Sequence, residues 1–203
     1  MGQLSKHLNL FPLDGQISLE EDEKEGLMIK NVGTREELDE YEQKNIESAY
    51  FWLAKKRYSA SQILTEKFIC DLHYQMFKNV WRWAGKFRKN NKSIGIDSSF
   101  ISVEIKKLLD DCTYWIDNMT FNNEEIAIRL KHRLVFIHPF SNGNSRHSRL
   151  MADIAMEYIF KDKHFSWGSS HLLYPDRIRD KYIKAIRRAD KGDYADLIIF
   201  AKS

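Results

Sequence analysis

The sequence predicts an all-α protein, and three observations carry that prediction. Only nine glycines and three prolines occur among 203 residues, well below the usual share of about 12%, which disfavours turn-rich all-β folds. Hydrophobic residues make up 43% of the chain, enough for an ordinary globular core. Most of the chain divides into segments in which apolar residues recur at steps of three and four. We expect an irregular strap over residues 1–33, then one bundle of six to seven helices with a small β-hairpin flap over residues 34–203.

The first predicted helix begins at Thr34, because Glu37 three residues later completes a capping box. A second helix is predicted from Ser61 to the aromatic pair Trp81 and Trp83. The third has the clearest periodicity, and its apolar positions recur at alternating steps of four and three. Those positions are Ile101, Ile105, Leu108, Cys112, Trp115 and Met119.

A fourth helix is predicted after Asn122, which can cap it, and Pro139 ends it. Further helices are predicted from Asn144, from Asp176 and around residues 197–200.

Residues 85–99, between the second and third helices, lack helical periodicity. The short stretch Ile94, Gly95 and Ile96 is typical of extended backbone. Within the segment, Asp97 is the first acidic residue. We interpret the segment as a flap. Its basic residues are Lys86, Arg88, Lys89 and Lys92.

Charge and cysteine content exclude several classes of protein. Lys and Arg number 32 against 29 Asp and Glu, a net charge of +3, which is too mild for a strong nucleic-acid footprint. No apolar run approaches the roughly 18 residues of a membrane span. Cys70 and Cys112 lie in helical segments without a CxxC pair, so neither a disulfide framework nor a cysteine zinc site is indicated. We expect a cytoplasmic protein without a membrane or nucleic-acid partner.

The segment that points to chemistry is residues 138–149, HPFSNGNSRHSR. Pro139 and Gly143 interrupt the helical pattern and allow a tight loop. His138 ends the preceding helix and can accept a proton near neutral pH. The other histidines that we considered are expected to be structural, with their hydrogen bonds satisfied: His73, His132, His164 and His171.

The helix that follows this loop is predicted to bind an anion. Its first backbone N–H groups, around residues 143–145, have no partner within the helix and attract negative charge. Arg146 and Arg149 are three residues apart and therefore project from one side of the helix. A proton acceptor and a phosphate cradle are thus expected in one loop.

This stretch resembles the signature of the Fic (Fic/Doc) family, HPFx[D/E]GNGRxxR. Seven of its nine fixed positions agree: His138, Pro139, Phe140, Gly143, Asn144, Arg146 and Arg149. The resemblance extends from near Ser48 to the end of the sequence and includes the family's flap. Within the family, the sequence is most similar to the group known as mobile mystery protein B.

The resemblance implies a protein adenylyltransferase, which transfers AMP from ATP to a Ser, Thr or Tyr hydroxyl of a target protein, with Mg²⁺ as cofactor. His138 would be the general base, and Phe140 would fill the core beneath the loop. Residues 94–96 would pair with an extended segment of the target by strand addition. The resemblance places the other catalytic and nucleotide contacts at Gly143, Asn144, Ser145, Arg146 and Arg149.

Two residues depart from the family pattern. Asn142 stands where the family has the acidic Mg²⁺ ligand, and a neutral amide oxygen should lower the affinity for Mg²⁺. Ser145 replaces the second glycine, and family members with another residue there can bind ATP reversed and transfer phosphate. Two alternatives therefore stay open: a Doc-like protein phosphotransferase, and a nucleotide-binding regulatory module with weak or no turnover.

Regulation is a further expectation from the resemblance. Many Fic proteins carry an inhibitory [S/T]xxxE[G/N] motif whose Glu pairs with the second arginine, and this sequence has no clean copy. Pairing of Glu42 with Arg149 is one hypothesis, and a solvated carboxylate on the helix face is the alternative. An inhibitory or antitoxin-like partner is another expectation.

Overall fold

Helices make up almost all of the regular structure in the part of the chain that the computed structural model describes, which is residues 26–30, 32, 34–167 and 175–203. Most of the predicted strap, residues 1–25, lies outside it. The predicted all-α class is confirmed. The described residues form eight α-helices: α1 Arg35–Ala54, α2 Ala60–Ile63, α3 Glu66–Phe77, α4 Ile101–Asp117, α5 Asn123–Ile137, α6 Asn144–Ile154, α7 Pro175–Ala189 and α8 Ala195–Lys202.

The helix starts follow the capping signals. The Thr34 hydroxyl accepts the N–H of Glu37 at 3.2 Å and the Glu37 carboxylate accepts the N–H of Thr34 at 3.4 Å, so the predicted capping box begins α1. The predicted second helix is split into α2 and α3. Leu64 leaves the helical region with ψ 56°, and the Thr65 hydroxyl then caps α3 by accepting the N–H of Phe68 at 3.1 Å. A hydroxyl that can cap a new helix competes with continuing the old one.

Most of the predicted apolar positions whose side chains the structure describes lie in the core. The inward residues of α5, Ile126, Leu130, Leu134 and Ile137, are all buried. Met119, predicted as the last core residue of the third helix, is 86% exposed. The reason is that α4 ends at Asp117 and Met119 takes a left-handed conformation, φ 48°. Tyr41 on α1 is also exposed.

The predicted β-hairpin flap is not formed, since residues 85–97 contain turns and bends but no strand. The backbone of this segment bonds to the loop after α5 instead of to itself. The N–H of Arg88 donates to the carbonyl of Pro139 at 2.9 Å, and the N–H of Ile96 donates to the carbonyl of Ile137 at 3.4 Å. We keep the name flap for residues 85–97, which lie as an irregular loop against the end of α5.

Two short elements complete the fold. A 3₁₀ turn, Ser98–Phe100, leads into α4, and a π-helical turn, Ala155–Phe160, continues α6. None of the described helices combines the length and apolarity that crossing a membrane requires. Cys70 and Cys112 are both free thiols, as the sequence predicts.

Candidate active site

The loop between α5 and α6 is closed by Asn144. Its Oδ1 accepts the N–H of Phe140 at 2.9 Å, and its Nδ2 donates to the carbonyl of Phe140 at 2.8 Å. Only 4% of Asn144 is exposed. Because both polar atoms of its amide bond to the backbone of Phe140, the Asn144 side chain fixes the conformation of the loop. The group that Asn144 has available for a phosphate is its backbone N–H.

A buried histidine supports the loop from below. The ring of His73 stacks on Phe140 with centroids 3.6 Å apart. Its Nε2 lies 3.1 Å from the carbonyl of Asn142, and its Nδ1 accepts the N–H of Gly85 at 3.0 Å. Burial holds the pKa of His73 well below its usual value, so the ring is neutral and Nε2 carries the proton that it donates. The expectation that His73 is a satisfied structural histidine is confirmed, but its support of this loop has no signature in the sequence.

Two of the remaining histidines also have polar partners. His132 Nε2 lies 2.9 Å from Asp190 Oδ1, and His164 Nε2 lies 3.4 Å from Glu157 Oε2. His171 lies outside the described residues.

Gly143 begins α6 in a conformation that requires glycine. Its φ is +75°, and a Cβ there would stand 2.5 Å from the Phe77 ring. Its N–H donates to Asn142 Oδ1 at 2.6 Å. The sequence predicts a free N–H at this residue, but in the structure it is not available to an anion. The N–H groups of residues 144–146 have no hydrogen-bond partner among the described residues. The Ser145 hydroxyl is likewise unpartnered there, so the anion-binding end of α6 starts one residue later than predicted.

The two arginines of α6 have different surroundings. Arg146 NH1 lies 2.6 Å from Glu42 Oε2, and Glu42 Oε1 accepts the indole N–H of Trp81 at 2.5 Å. Glu42 is fully buried. The predicted pairing of Glu42 with Arg149 is therefore wrong, because α1 places this carboxylate against the first turn of α6. Arg149 lies one turn further on, 4% exposed, with its guanidinium carbon 5.2 Å from the ring centre of Tyr182.

Asn142, the predicted magnesium ligand, offers only a weak ligand atom for Mg²⁺. Its side-chain oxygen is neutral and already accepts the N–H of Gly143. Among the described residues, no group of three or more His, Cys, Asp or Glu side chains could hold a metal ion. Mg²⁺ prefers charged oxygen ligands. These residues do not fit a protein-held Mg²⁺ ion, and the mechanism below uses none.

His138 is held in an unusual backbone conformation at the end of α5. Its φ and ψ are 53° and 61°, the left-handed region that few non-glycine residues adopt. Burial lowers the pKa of its imidazole to about 4, and the nearby positive charges of Arg88 and Lys92 add to this effect. Nδ1 is buried and has no hydrogen-bond partner of good geometry among the described residues. The ring is therefore neutral at pH 7, with one nitrogen protonated and the backbone carbonyl of Val135 as a ring partner, and the unprotonated nitrogen of a neutral imidazole can accept a proton.

The flap lies directly against this histidine. A Cβ on Gly95 would stand 2.6 Å from His138 Cβ, and Gly95 has φ +91°. Ile94 is 45% exposed beside it. The N–H of Ile96 is used by the carbonyl of Ile137, so Ile96 is not free to donate to a target strand in this conformation. Of the three predicted docking residues, Ile94 is exposed and Gly95 packs against His138.

The buried histidines predict that acid destabilises the fold. Burial lowers the pKa of His147 to about 4 from 6.5. Because the folded pKa lies below the unfolded one, the unfolded chain binds more protons between about pH 6.5 and pH 4, and the free energy of unfolding falls as pH drops through this window. His73 and His138 act in the same direction. Asp153, whose pKa burial raises to about 7, opposes them, which leaves a net loss in acid.

His147→Gln tests this directly. Glutamine can keep the donor to the carbonyl of Ile69, which His147 Nε2 contacts at 3.0 Å, but it does not titrate. Urea unfolding at a series of pH values gives the free energy of unfolding. Its dependence on pH should be shallower in the variant by about one proton, which changes the total loss of unfolding free energy across the window by on the order of 3 kcal/mol. The exposed change Lys89→Gln should leave the slope as it is. An unchanged slope in His147→Gln would contradict the assignment.

Known proteins resemble this chain in sequence. Residues 63–156, which include α3, the flap and the loop with α6, match the sequence model of the Fic/DOC family. The "Protein adenylyltransferase Fic" proteins of Drosophila yakuba and Drosophila melanogaster are each 26% identical over 156 residues, covering 73% of this chain. The chain spans 30% of the length of these relatives.

Solved structures share the fold. Fic-1 from C. elegans, residues 134–508, superposes with a TM-score of 0.65 at 18% identity, over 85% of this chain and 50% of that one. The BepC protein from Bartonella tribocorum, a VirB-translocated effector with bound AMPPNP, has a TM-score of 0.64 at 15% identity, over 92% of this chain and 97% of that one. A Fic domain from Bartonella quintana with bound ADP has a TM-score of 0.61 at 16% identity, over 85% and 86%. With its signature loop, its fold and the family match, this chain carries a Fic/DOC domain at residues 63–156.

Proposed function

We propose that this protein transfers AMP from ATP to a hydroxyl-bearing side chain, Ser, Thr or Tyr, of a target protein. One observation carries the proposal: a single short loop separates a neutral histidine from a helix start that offers free N–H groups and two arginines. A proton acceptor on one side of a phosphate cradle is what nucleotidyl transfer to a hydroxyl requires.

The reaction uses ATP as substrate. The backbone N–H groups of residues 144–146 and the hydroxyl of Ser145 bind phosphate oxygens, and Arg146 and Arg149 offset the charge of the triphosphate. Its negative charge raises the pKa of His138 from the low value of the free protein, which makes the imidazole a better base.

In the transfer step, the target hydroxyl oxygen attacks the α-phosphorus and a new O–P bond forms. His138 takes the hydroxyl proton as the attack proceeds. The bond between the α-phosphorus and the bridging oxygen breaks, and pyrophosphate leaves with the electron pair. Arg146 and Arg149 stabilise the charge that develops on the α-phosphate and on the leaving group.

The relatives support this choice of donor group. The Drosophila proteins are named protein adenylyltransferases, and the BepC structure holds AMPPNP. The second candidate is transfer of the γ-phosphate, and Ser145 favours it, because its side chain stands where the family pattern has glycine and can change how the triphosphate lies. The third, nucleotide binding without turnover, rests on Asn142 and its neutral amide.

Transfer with labelled ATP separates these candidates. The purified protein is incubated with Mg²⁺, a protein extract as acceptor, and ATP labelled at either the α- or the γ-phosphate. Adenylyl transfer predicts protein labelling from the α position alone. Label arriving only from the γ position would establish phosphotransfer instead, and binding of ATP without label from either position would leave a regulatory module.

Glu42 is proposed to restrain this activity. Its carboxylate is 2.6 Å from Arg146 and neutralises one of the two cations that ATP needs. Glu42→Gln removes the charge and can still accept the Trp81 indole N–H, so we expect labelling from α-labelled ATP to rise about fivefold to tenfold, the gain that about 1 kcal/mol of released pairing provides.

The matched control is Glu40→Gln, an exposed residue on the same helix, which should not change labelling. Trp81→Phe deletes only the second partner of Glu42 and should not mimic Glu42→Gln. Labelling that is unchanged or lower in a folded Glu42→Gln protein would show that the carboxylate does not inhibit.

A further inference from the structure

Arg88 joins three separate segments of backbone around the candidate base. Its side chain is buried, with 5% of the residue exposed. Nε donates to the carbonyl of His138 at 2.7 Å, and NH1 donates to the carbonyl of Asn90 at 2.9 Å. NH2 reaches the carbonyls of Ile96 and, at 3.4 Å, Ile137. One guanidinium thus bonds to two points of the flap, Asn90 and Ile96, and to the end of α5.

These acceptors explain why an arginine stands there. The last carbonyls of a helix have no partner within the helix, and they lie at the negative end of its dipole. A guanidinium presents five donors in a rigid fork and can satisfy several carbonyls at once, whereas a lysine ammonium is a compact point charge on a flexible stem. Arg88 therefore fixes the relative position of the flap and α5 in a way that lysine does not reproduce.

The same contacts determine how His138 is presented. The carbonyl that Arg88 Nε holds belongs to His138 itself, whose backbone is in the left-handed region. The flap then returns so that Gly95 backs onto His138 Cβ with no room for a side chain. The backbone and Cβ of His138 are thus held between the α5 end and the flap.

We propose that Arg88 is a positioning residue for the transfer reaction: by tying the flap to the end of α5, it fixes the His138 imidazole relative to the phosphate cradle. This inference rests on the proposed function of His138 as the base. Arg88 does not touch ATP or the target hydroxyl, and its effect passes through His138 and Gly95. Its charge also keeps His138 neutral, together with Lys92, while Asp97 is the carboxylate that faces Arg88.

Three variants and two controls test the proposal. Arg88→Gln removes the fork and the charge, and Arg88→Lys keeps the charge without the fork. Gly95→Ala keeps the arginine but crowds His138 Cβ and, at 3.0 Å, Arg88 NH2, and so displaces the flap. Lys89→Gln is the control on the same loop. Gly192→Ala is the control for Gly95, because it has the same sign of φ, +89°, with nothing within 4 Å.

The first readout is the pKa of the His138 imidazole by NMR of histidine-labelled protein, assigned by its loss in His138→Ala. It needs no transfer activity, so it tests the proximity of the Arg88 charge to His138 even if the proposed reaction is wrong. Arg88→Gln should move this pKa upward towards 6.5, whereas Arg88→Lys and Lys89→Gln should leave it low. An unmoved pKa in a folded Arg88→Gln protein would overturn the proposed contact.

The second readout is steady-state transfer. All three variants should lose about tenfold to a hundredfold in kcat, with KM for ATP changed less than about twofold, because the base is misplaced and the cradle is intact. The two controls should keep the wild-type kcat. Full kcat in Arg88→Lys would show that charge rather than the fork matters, and it would overturn positioning. If Arg88→Gln fails to fold, Arg88→Lys and Gly95→Ala still decide the question.

Discussion

His138→Ala is expected to reduce protein labelling from α-labelled ATP by at least about a hundredfold. General base catalysis contributes about 10²- to 10⁴-fold to such reactions, and no other described residue of the loop has a titratable nitrogen free to accept a proton at pH 7. The alanine should leave the fold intact, since His138 lies at the end of α5 and the polar contact that its ring loses, with the backbone carbonyl of Val135, is at that same helix end. Transfer and ATP affinity are measured on the same preparation.

The control for this prediction is His164→Ala. His164 also faces a charged partner, Glu157, but it lies outside the loop, and it should keep full labelling. ATP affinity in His138→Ala should stay within a few fold of wild type, because the cradle is on α6. Labelling that survives in a folded, ATP-binding His138→Ala protein would remove His138 from the role of base.

Gly143→Ala is expected to be the most damaging small change in the loop. A left-handed conformation costs a non-glycine residue about 1–2 kcal/mol, and the added methyl would stand 2.5 Å from the Phe77 ring. Forcing such an overlap costs about 1–3 kcal/mol more. We therefore expect urea unfolding to show a loss of about 2–5 kcal/mol, with ATP binding weakened because the start of α6 moves.

Gly192→Ala separates the two causes. Gly192 has φ +89° but nothing within 4 Å of the added methyl, so it should lose only the backbone share, about 1–2 kcal/mol. The difference between the two variants measures the contact with Phe77. Equal losses at both positions would mean that Phe77 moves aside freely and does not fix the loop.

Much of the helical architecture could be predicted from local signals. Thr34 with Glu37, and Asn122, mark helix starts because their side chains satisfy orphan N–H groups within three residues in sequence. The four-and-three spacing of Ile101, Ile105 and Leu108 places them on one face whatever they pack against. These signals depend only on near neighbours, so they survive folding.

The flap could not be predicted in the same way. Residues 94–96 have the composition of a strand, yet the N–H of Ile96 bonds to Ile137 and the fork of Arg88 takes the carbonyls around it. The partners lie some forty residues away in sequence, and only tertiary contact decides between them and a hairpin. Met119 could not be predicted correctly for a similar reason. The apolar periodicity continues to Met119, but the helix ends at Asp117.

The candidate site was predicted in part. The loop and the start of α6 form where the sequence predicts them, but their neighbours come from distant elements. Glu42 reaches Arg146 from α1 and His73 supports Phe140 from α3, and neither contact leaves a pattern in the sequence. The Asn144 side chain, expected at the phosphate, is used to close the loop.

Intact-mass spectrometry shows whether the protein attaches AMP to itself and whether His138 is required. Wild-type and Glu42→Gln proteins are incubated with Mg²⁺ and ATP, with His138→Ala in parallel, and the mass of each chain is measured before and after. We expect a gain of one or more AMP groups on the first two, larger in Glu42→Gln, and none on His138→Ala. A gain of phosphate instead, or a gain of AMP that persists in His138→Ala, would contradict it.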